Sequence, residues 1–304
     1  MRSLKMGTLI ASALVAVTAT MSGSDARSDT WNGAGVSALH DNVPADQVEF
    51  LSTPDRIISV ASSNSPSLIW ETLEHGERVE CLQCIPTVAG LMYDEHQQTR
   101  EIAAWWLRRR MFGVFGPGQA YEQTINTLKN DPNAQRRAYA ASALGEFLDK
   151  GGIQPLHDAI TNDSSALVRA SAASALGRMN SAGNGALSVA MKDSDESVRI
   201  AAIKSAGRVN EFTDEQTAST LTGDGSAAVR RLGVELLEGL HAKDTVASVM
   251  TLAQSDSDAQ VRAAACHALG IFRDSSAKGT LQNIAQSDQN TLVRDAATIA
   301  LREL

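Results

Sequence analysis

The sequence predicts an all-α fold: an α-solenoid of stacked antiparallel helix pairs, wound as a right-handed superhelix, behind a short helical N-terminal cap. Three observations carry the prediction. A pattern opening on aspartate recurs at Asp94, Asp131, Asp163, Asp193, Asp224, Asp256 and Asp288, in steps of 37, 32, 30, 31, 32 and 32 residues, and self-similarity at such a period marks a repeat architecture. Within each copy the apolar residues fall three and four apart, the spacing of one helical face. Only 4% of the 304 residues are aromatic, which suits thin stacked layers better than one large central core.

The chain reads in four parts. Residues 1–26 have the layout of a secretory signal: Arg2 and Lys5 precede an apolar run from Gly7 to Met21, and small residues offer cleavage after Ala19 or Ala26. The run is shorter than the roughly 20 residues a membrane span needs, and no cysteine follows it to carry a lipid anchor. The expectation is an exported protein, periplasmic or extracellular, with no transmembrane span once the signal is removed. Residues 27–43 are polar and read as a disordered linker. Residues 44–80 read as the cap, two or three short helices, with Ser65-Pro66 opening the clearest one and Gly76 near its end. Residues 81–304 hold about seven repeats.

Each repeat reads as two helices. In the copy DSSALVRASAASALG, Val168, Ala172, Ala175 and Leu176 share one face of the second helix; Leu156 and Ile160 mark the first. An arginine lies six positions after every aspartate: Arg100, Arg137, Arg169, Arg199, Arg230, Arg262 and Arg294. The aspartate is expected to cap the second helix, the glycine of Ala-Leu-Gly to end it, and the Asp–Arg pairs of successive layers to form a hydrogen-bonded ladder. All fourteen residues are therefore assigned to architecture and none to catalysis. Small residues such as Ala140, Ala143, Ala172, Ala175, Ala265 and Ala268 let neighbouring helices approach closely.

The D-x5-R spacing followed by A-x-x-A-L-G resembles the HEAT repeat family, in its short form of about 30 residues found in HEAT-like proteins including phycobilin-lyase-type ones. The resemblance spans residues 81–304. It implies a curved, armadillo-like helical solenoid whose surface binds other macromolecules, and it leaves the ligand open.

Departures from the pattern are the informative positions. Five residues after the arginine, six copies carry Ser142, Ser174, Lys204, Glu235, His267 and Ile299, whereas the first carries Trp105. Its neighbour Trp106 takes a packing position. Arg108, Arg109 and Arg110 follow where other copies carry glycine, and the longest step adds Gly113 to Gly118. Eight of the thirteen aromatics lie between Tyr93 and Phe147. Aromatics beside arginines are the composition of interface hot spots, so Trp105, Arg108, Arg109, Arg110, Phe112 and Phe115 are the candidate partner contacts, suited to an acidic surface. The competing reading is a thicker first core with three solvated arginines.

Cys81 and Cys84 form the one C-x-x-C, with Pro86 favouring a helix start just after it. A local structural disulfide, two free thiols, and a redox or metal site with His75 or His96 are all open readings. Isoleucine follows Cys84, which excludes covalent haem attachment, and the missing second C-x-x-C weakens a zinc site. Cys266 reads as a small core residue.

Function is bounded by exclusion. Net charge is −8, from 27 basic and 35 acidic residues, which argues against nucleic-acid binding. No G-x-S-x-G, Walker loop or H-E-x-x-H occurs, and no histidine precedes glutamate as in the iron-binding hydroxylases of the resembled family. The reading is an exported scaffold that binds another protein in the cell envelope, with no catalysis and no cofactor or metal. The alternatives are a thiol-redox or metal-carrying protein using Cys81 and Cys84, or a chromophore lyase or chaperone.

Overall fold

A computed structural model describes residues 52–113 and 116–304. The expected signal and linker, the first part of the cap (residues 44–51) and Phe115 lie outside the described residues.

Local sequence sets the helix starts. In the cap, α1 (Pro54–Ala61) and α2 (Pro66–His75) both place proline in the first turn, where its missing N–H removes no bond. Thr53 and Ser65 cap them, their hydroxyls accepting from the backbone of Arg56 and Leu68. A 3₁₀ turn over Leu82–Cys84 then leads into seven helix pairs: α3 (Ile85–Leu91) with α4 (Gln97–Met111), α5 (Gln119–Asn130) with α6 (Ala134–Phe147), α7 (Ile153–Asn162) with α8 (Ala166–Arg178), α9 (Ala186–Ala190) with α10 (Glu196–Ala206), α11 (Glu215–Thr220) with α12 (Ala227–Gly239), α13 (Val246–Ser255) with α14 (Ala259–Phe272), and α15 (Lys278–Ser287) with α16 (Thr291–Glu303). The added residues of the longest step form the one extended piece among the described residues. There β1 (Phe112–Gly113) pairs antiparallel with β2 (Gly116–Pro117), Phe112 opposite Pro117.

The second helix of each pair packs on the second helix of the next, from α4 through α16. The core is therefore a continuous seam between layers. Alanine lines it: Ala140, Ala172, Ala202, Ala265 and Ala297 are fully buried, backed by Leu144, Leu176, Leu237 and Leu269. This is how 43% hydrophobic composition with few aromatics suffices.

Two local expectations are corrected. The repeat aspartate does not cap the second helix. It sits two residues earlier, where its Oδ1 accepts from the backbone N–H of the true cap position, at 2.8 Å for Ser165 and 2.9 Å for Asp195 and Asp258. Asn133, Asp195, Ser226, Asp258 and Asn290 supply the capping oxygens.

The glycine of Ala-Leu-Gly does not end the helix either. Gly145, Gly177 and Gly270 lie inside α6, α8 and α14 and are buried. A Cβ on Gly145 would stand 2.8 Å from the Ala175 Cα, and one on Gly270 would stand 2.9 Å from the Ala300 Cα. These glycines are the points of closest approach between layers. The left-handed turns that end α6 and α14 fall on Leu148 (φ 57°) and Arg273 (φ 54°) instead. Because the obstacle at Gly145 is backbone and not a flexible tip, Gly145→Ala should destabilise the chain by about 2 kcal/mol through overpacking, read as a lowered thermal midpoint by circular dichroism.

The α15–α16 pair departs from the others at two positions. On α16, exposed Thr298 occupies the position where Ala141, Ala173, Ile203, Val234 and Cys266 are buried, and exposed Arg302 occupies that of Gly145, Gly177 and Gly270.

Candidate functional site

The repeated arginine and aspartate meet between layers, not within them. Arg137 donates through Nε and Nη2 to the two carboxylate oxygens of Asp163 at 2.7 and 2.8 Å. The same fork joins Arg169 to Asp193, Arg230 to Asp256 and Arg262 to Asp288. Arg199 pairs with Asp224 at 2.8 Å. Meanwhile Nη1 of each arginine reaches back to the backbone carbonyl of its own repeat's aspartate, as Arg137 does to Asp131 at 2.9 Å.

Each guanidinium thus ties its own turn to the next layer. The side chains in these pairs are only 4–16% exposed. Hydrogen bonding from Arg169, Arg230 and Arg262 holds the carboxyls of Asp193, Asp256 and Asp288 below the usual aspartate range.

The ladder has no rung between the first and second pairs. Asp131 takes Arg136 of its own repeat at 2.8 Å, and that guanidinium lies over the Tyr93 ring. Arg100 keeps the two backbone carbonyls of Asp94 and Glu95 but stacks on Tyr139, 3.9 Å from the ring centroid. Asp94 accepts from the backbone and ring of His96. At the other end Arg294 holds Asp288 O and Thr291 Oγ1. The missing rung coincides with the repeat step that carries β1 and β2.

The predicted aromatic–arginine patch divides. Trp106 is fully buried, and its indole N–H donates to Gly76 O at 2.9 Å. Arg110, expected to face a partner, is instead built into the fold. Its guanidinium lies 3.4 Å from the Trp106 ring centre. It donates to the carbonyls of Trp106, Gly76, Glu77 and Val79 at 2.6–3.0 Å, clamping the segment after α2 onto α4. Burial lowers its pKa to about 10, still far above neutrality.

Arg109 is half exposed and pairs with Glu77 at 3.2 Å. Trp105 and Arg108 are half-buried, Trp105 resting against the core. Phe112 lies in β1; Phe115 lies outside the described residues. Among the candidates whose exposure is described, Trp105, Arg108 and Arg109 stand at the surface. Four backbone carbonyls converging on one guanidinium left no trace in the sequence beyond an unusual run of three arginines.

Cys81 and Cys84 are bonded to each other, and both are buried, at 4% and 0% exposure. Of the three open readings this is the structural disulfide: it closes the 3₁₀ turn between cap and first pair, with Cys84 Sγ 3.6 Å from Pro54 O. A loop this short gives little chain-entropy gain, so reduction should lower stability by only about 2 kcal/mol, measured by denaturant unfolding with and without reductant. Cys266 is buried and its thiol is pushed up to about 12 by desolvation. Among the described residues no cluster of three His, Cys, Asp or Glu is placed to hold a metal ion, and no helix is long and apolar enough to cross a membrane.

Comparison with known proteins agrees with this geometry. The family profile of HEAT repeats matches residues 121–189 and 215–302, more than half of the chain. No curated protein matches the sequence significantly. Among solved structures, YIBA_ECOLI of Escherichia coli is similar at a TM-score of 0.57 and 17% identity, over 84% of this chain and 94% of that one.

A chain solved with Kap95p and RanGDP has a TM-score of 0.58 and 12% identity, over 82% of this chain and 38% of that one. Karyopherin Kap121p, bound to the extreme C-terminus of the phosphatase Cdc14p, has a TM-score of 0.58 and 13% identity, over 90% and 35%. At such identities the likeness is one of fold. With the profile match, the seven helix pairs and the interlayer ladder, the chain belongs to the HEAT repeat family.

Proposed function

We propose that this chain is an exported binding scaffold that holds a protein partner on its solenoid surface and carries no catalysis of its own. The observation that carries the reading is a division of labour along every second helix. The repeated positions are buried or paired, while the position five after the arginine is varied and, beyond the half-buried Ser142, exposed: Ser174, Lys204, Glu235, His267 and Ile299. Such a row, in which only Glu235 (with Arg231) and His267 (with Glu238) are paired among the described residues, is a surface on which specificity can be written residue by residue. Two structural neighbours are themselves seen with protein ligands, Kap95p with RanGDP and Kap121p with a Cdc14p segment.

Trp105, Arg108 and Arg109 are the proposed centre of contact, suited to an acidic partner surface. Export is supported by the basic start and apolar run of residues 1–26, and by a buried disulfide that suits an oxidising compartment. The alternative of thiol exchange is less well supported, because both sulfurs are shielded.

Affinity capture from the native cell envelope, read by mass spectrometry, tests the function. One partner should be retained by the native chain and lose at least tenfold in the combined Trp105→Ala, Arg108→Ala, Arg109→Ala variant, compared at a temperature where circular dichroism shows both proteins folded. Equal retention would move the contact elsewhere on the row, and no specific partner would overturn the scaffold reading. Sequencing the amino terminus of the mature protein tests export, with starts after Ala19 or Ala26 expected.

A further inference from the structure

We propose that the groove between the second helices of the first three pairs receives a carboxylate-bearing segment of the partner, and that Arg100 pairs with that carboxylate. The proposal rests on the binding reading above and names the place and chemistry of one contact.

Five inner arginines of the repeat present Nε and Nη2 to an aspartate of the next layer. Arg100 is held in the same posture by the same two kinds of backbone carbonyl, 2.7 and 2.8 Å from its Nη1. Among the described residues its Nε and Nη2 meet no acceptor. The Tyr139 ring lies beneath the guanidinium and fixes its plane. An arginine pre-set in this way is a bidentate carboxylate receptor lacking its carboxylate.

The groove in front of it, a cavity of about 290 Å³, is lined by Gln97, Glu101, Ser142, Ser171, Ser174 and Arg178 among others. Its two carboxylates are engaged. Glu101 accepts from Gln97 at 2.7 Å, and Glu146 pairs with Arg178 at 2.6 Å. The hydroxyls of Ser142, Ser171, Ser174 and Tyr139 make no hydrogen bond among the described residues. The hydroxyls can donate as well as accept, so beside the open fork of Arg100 they can satisfy the oxygens of a carboxylate. The fork geometry of the five rungs selects an aspartate or glutamate side chain, or a chain-terminal carboxylate.

The test is a selection of random dodecapeptides displayed on phage against the full mature chain, followed by anisotropy titration of the enriched peptides. Enriched sequences should share an acidic residue or a free carboxyl terminus at one fixed place. Changing that group to its amide should weaken binding at least tenfold. Arg100→Gln and Tyr139→Ala should each weaken it similarly, and Arg100→Gln combined with the amide peptide should lose no more than either change alone. Should Arg100→Gln fail to fold, the amide peptide on the unaltered protein decides the matter.

Peptides enriched without an acidic group, or binding Arg100→Gln as tightly as the native chain, would overturn the carboxylate site and leave the scaffold reading standing. No enrichment at all would overturn both.

Discussion

Trp106→Ala should destabilise the chain by about 4 kcal/mol, the largest single-site effect expected in the molecule. The indole is fully buried, fills the seam between cap and first pair, donates to Gly76 O, and forms the platform on which Arg110 lies. Alanine removes the packing volume and the hydrogen bond together, and leaves the Arg110 fork without its stacking surface. Because layers of a solenoid touch only their neighbours, the loss should concentrate at the amino-terminal end. Thermal unfolding followed by circular dichroism should split into two steps, and amide exchange should quicken over residues 54–110 before the later repeats open. A single cooperative transition at an unchanged midpoint would show that the cap is not held through Trp106.

Asp256→Asn should cost about 3 kcal/mol. The Asp256 side chain is 4% exposed and accepts both bonds of the Arg230 fork, so the variant leaves a largely buried guanidinium without its counter-charge. The same rung gives a pH signature. The folded-state pKa values of Asp193, Asp256 and Asp288 lie below ordinary, through hydrogen bonding to Arg169, Arg230 and Arg262. Such groups stabilise the fold above the unfolded aspartate pKa of about 3.9 and lose that contribution as pH falls through the lower folded value.

The melting temperature should therefore stay level as pH falls from 7 to about 4.5, then drop steeply. Asp256→Asn should start lower and drop less, since one linked carboxyl is gone. Parallel pH curves for the two proteins would argue that this carboxylate does not contribute through its charge.

These expectations rest on features of unequal visibility in the chain. The spacing of Asp163, Arg169 and their equivalents marks the helix pairs and their number, because a repeated charged pair at fixed separation has few uses other than a repeated contact. The buried alanines of the second helices are legible for the same reason. The glycine of Ala-Leu-Gly misleads, since a glycine near a helix end serves either as a left-handed cap or as a point of close approach. The choice at Gly145 depends on Ala175, thirty residues away. The arginine run 108–110 misleads in a similar way. Arg109 and Arg110 differ only in which side of α4 they leave from, yet one faces water beside Glu77 and the other closes on four carbonyls.

The amino-acid sequence alone determined the helical period, the stacking residues and the family, because those depend on contacts that recur from layer to layer and so are written in repeat after repeat. Only the tertiary structure decided what happens once: that Trp106 and Arg110 lock the cap, that Cys81 and Cys84 close a turn, and that Arg100 faces an open groove. A single contact between distant segments has no period, and its energy depends on a geometry that neighbouring residues do not encode.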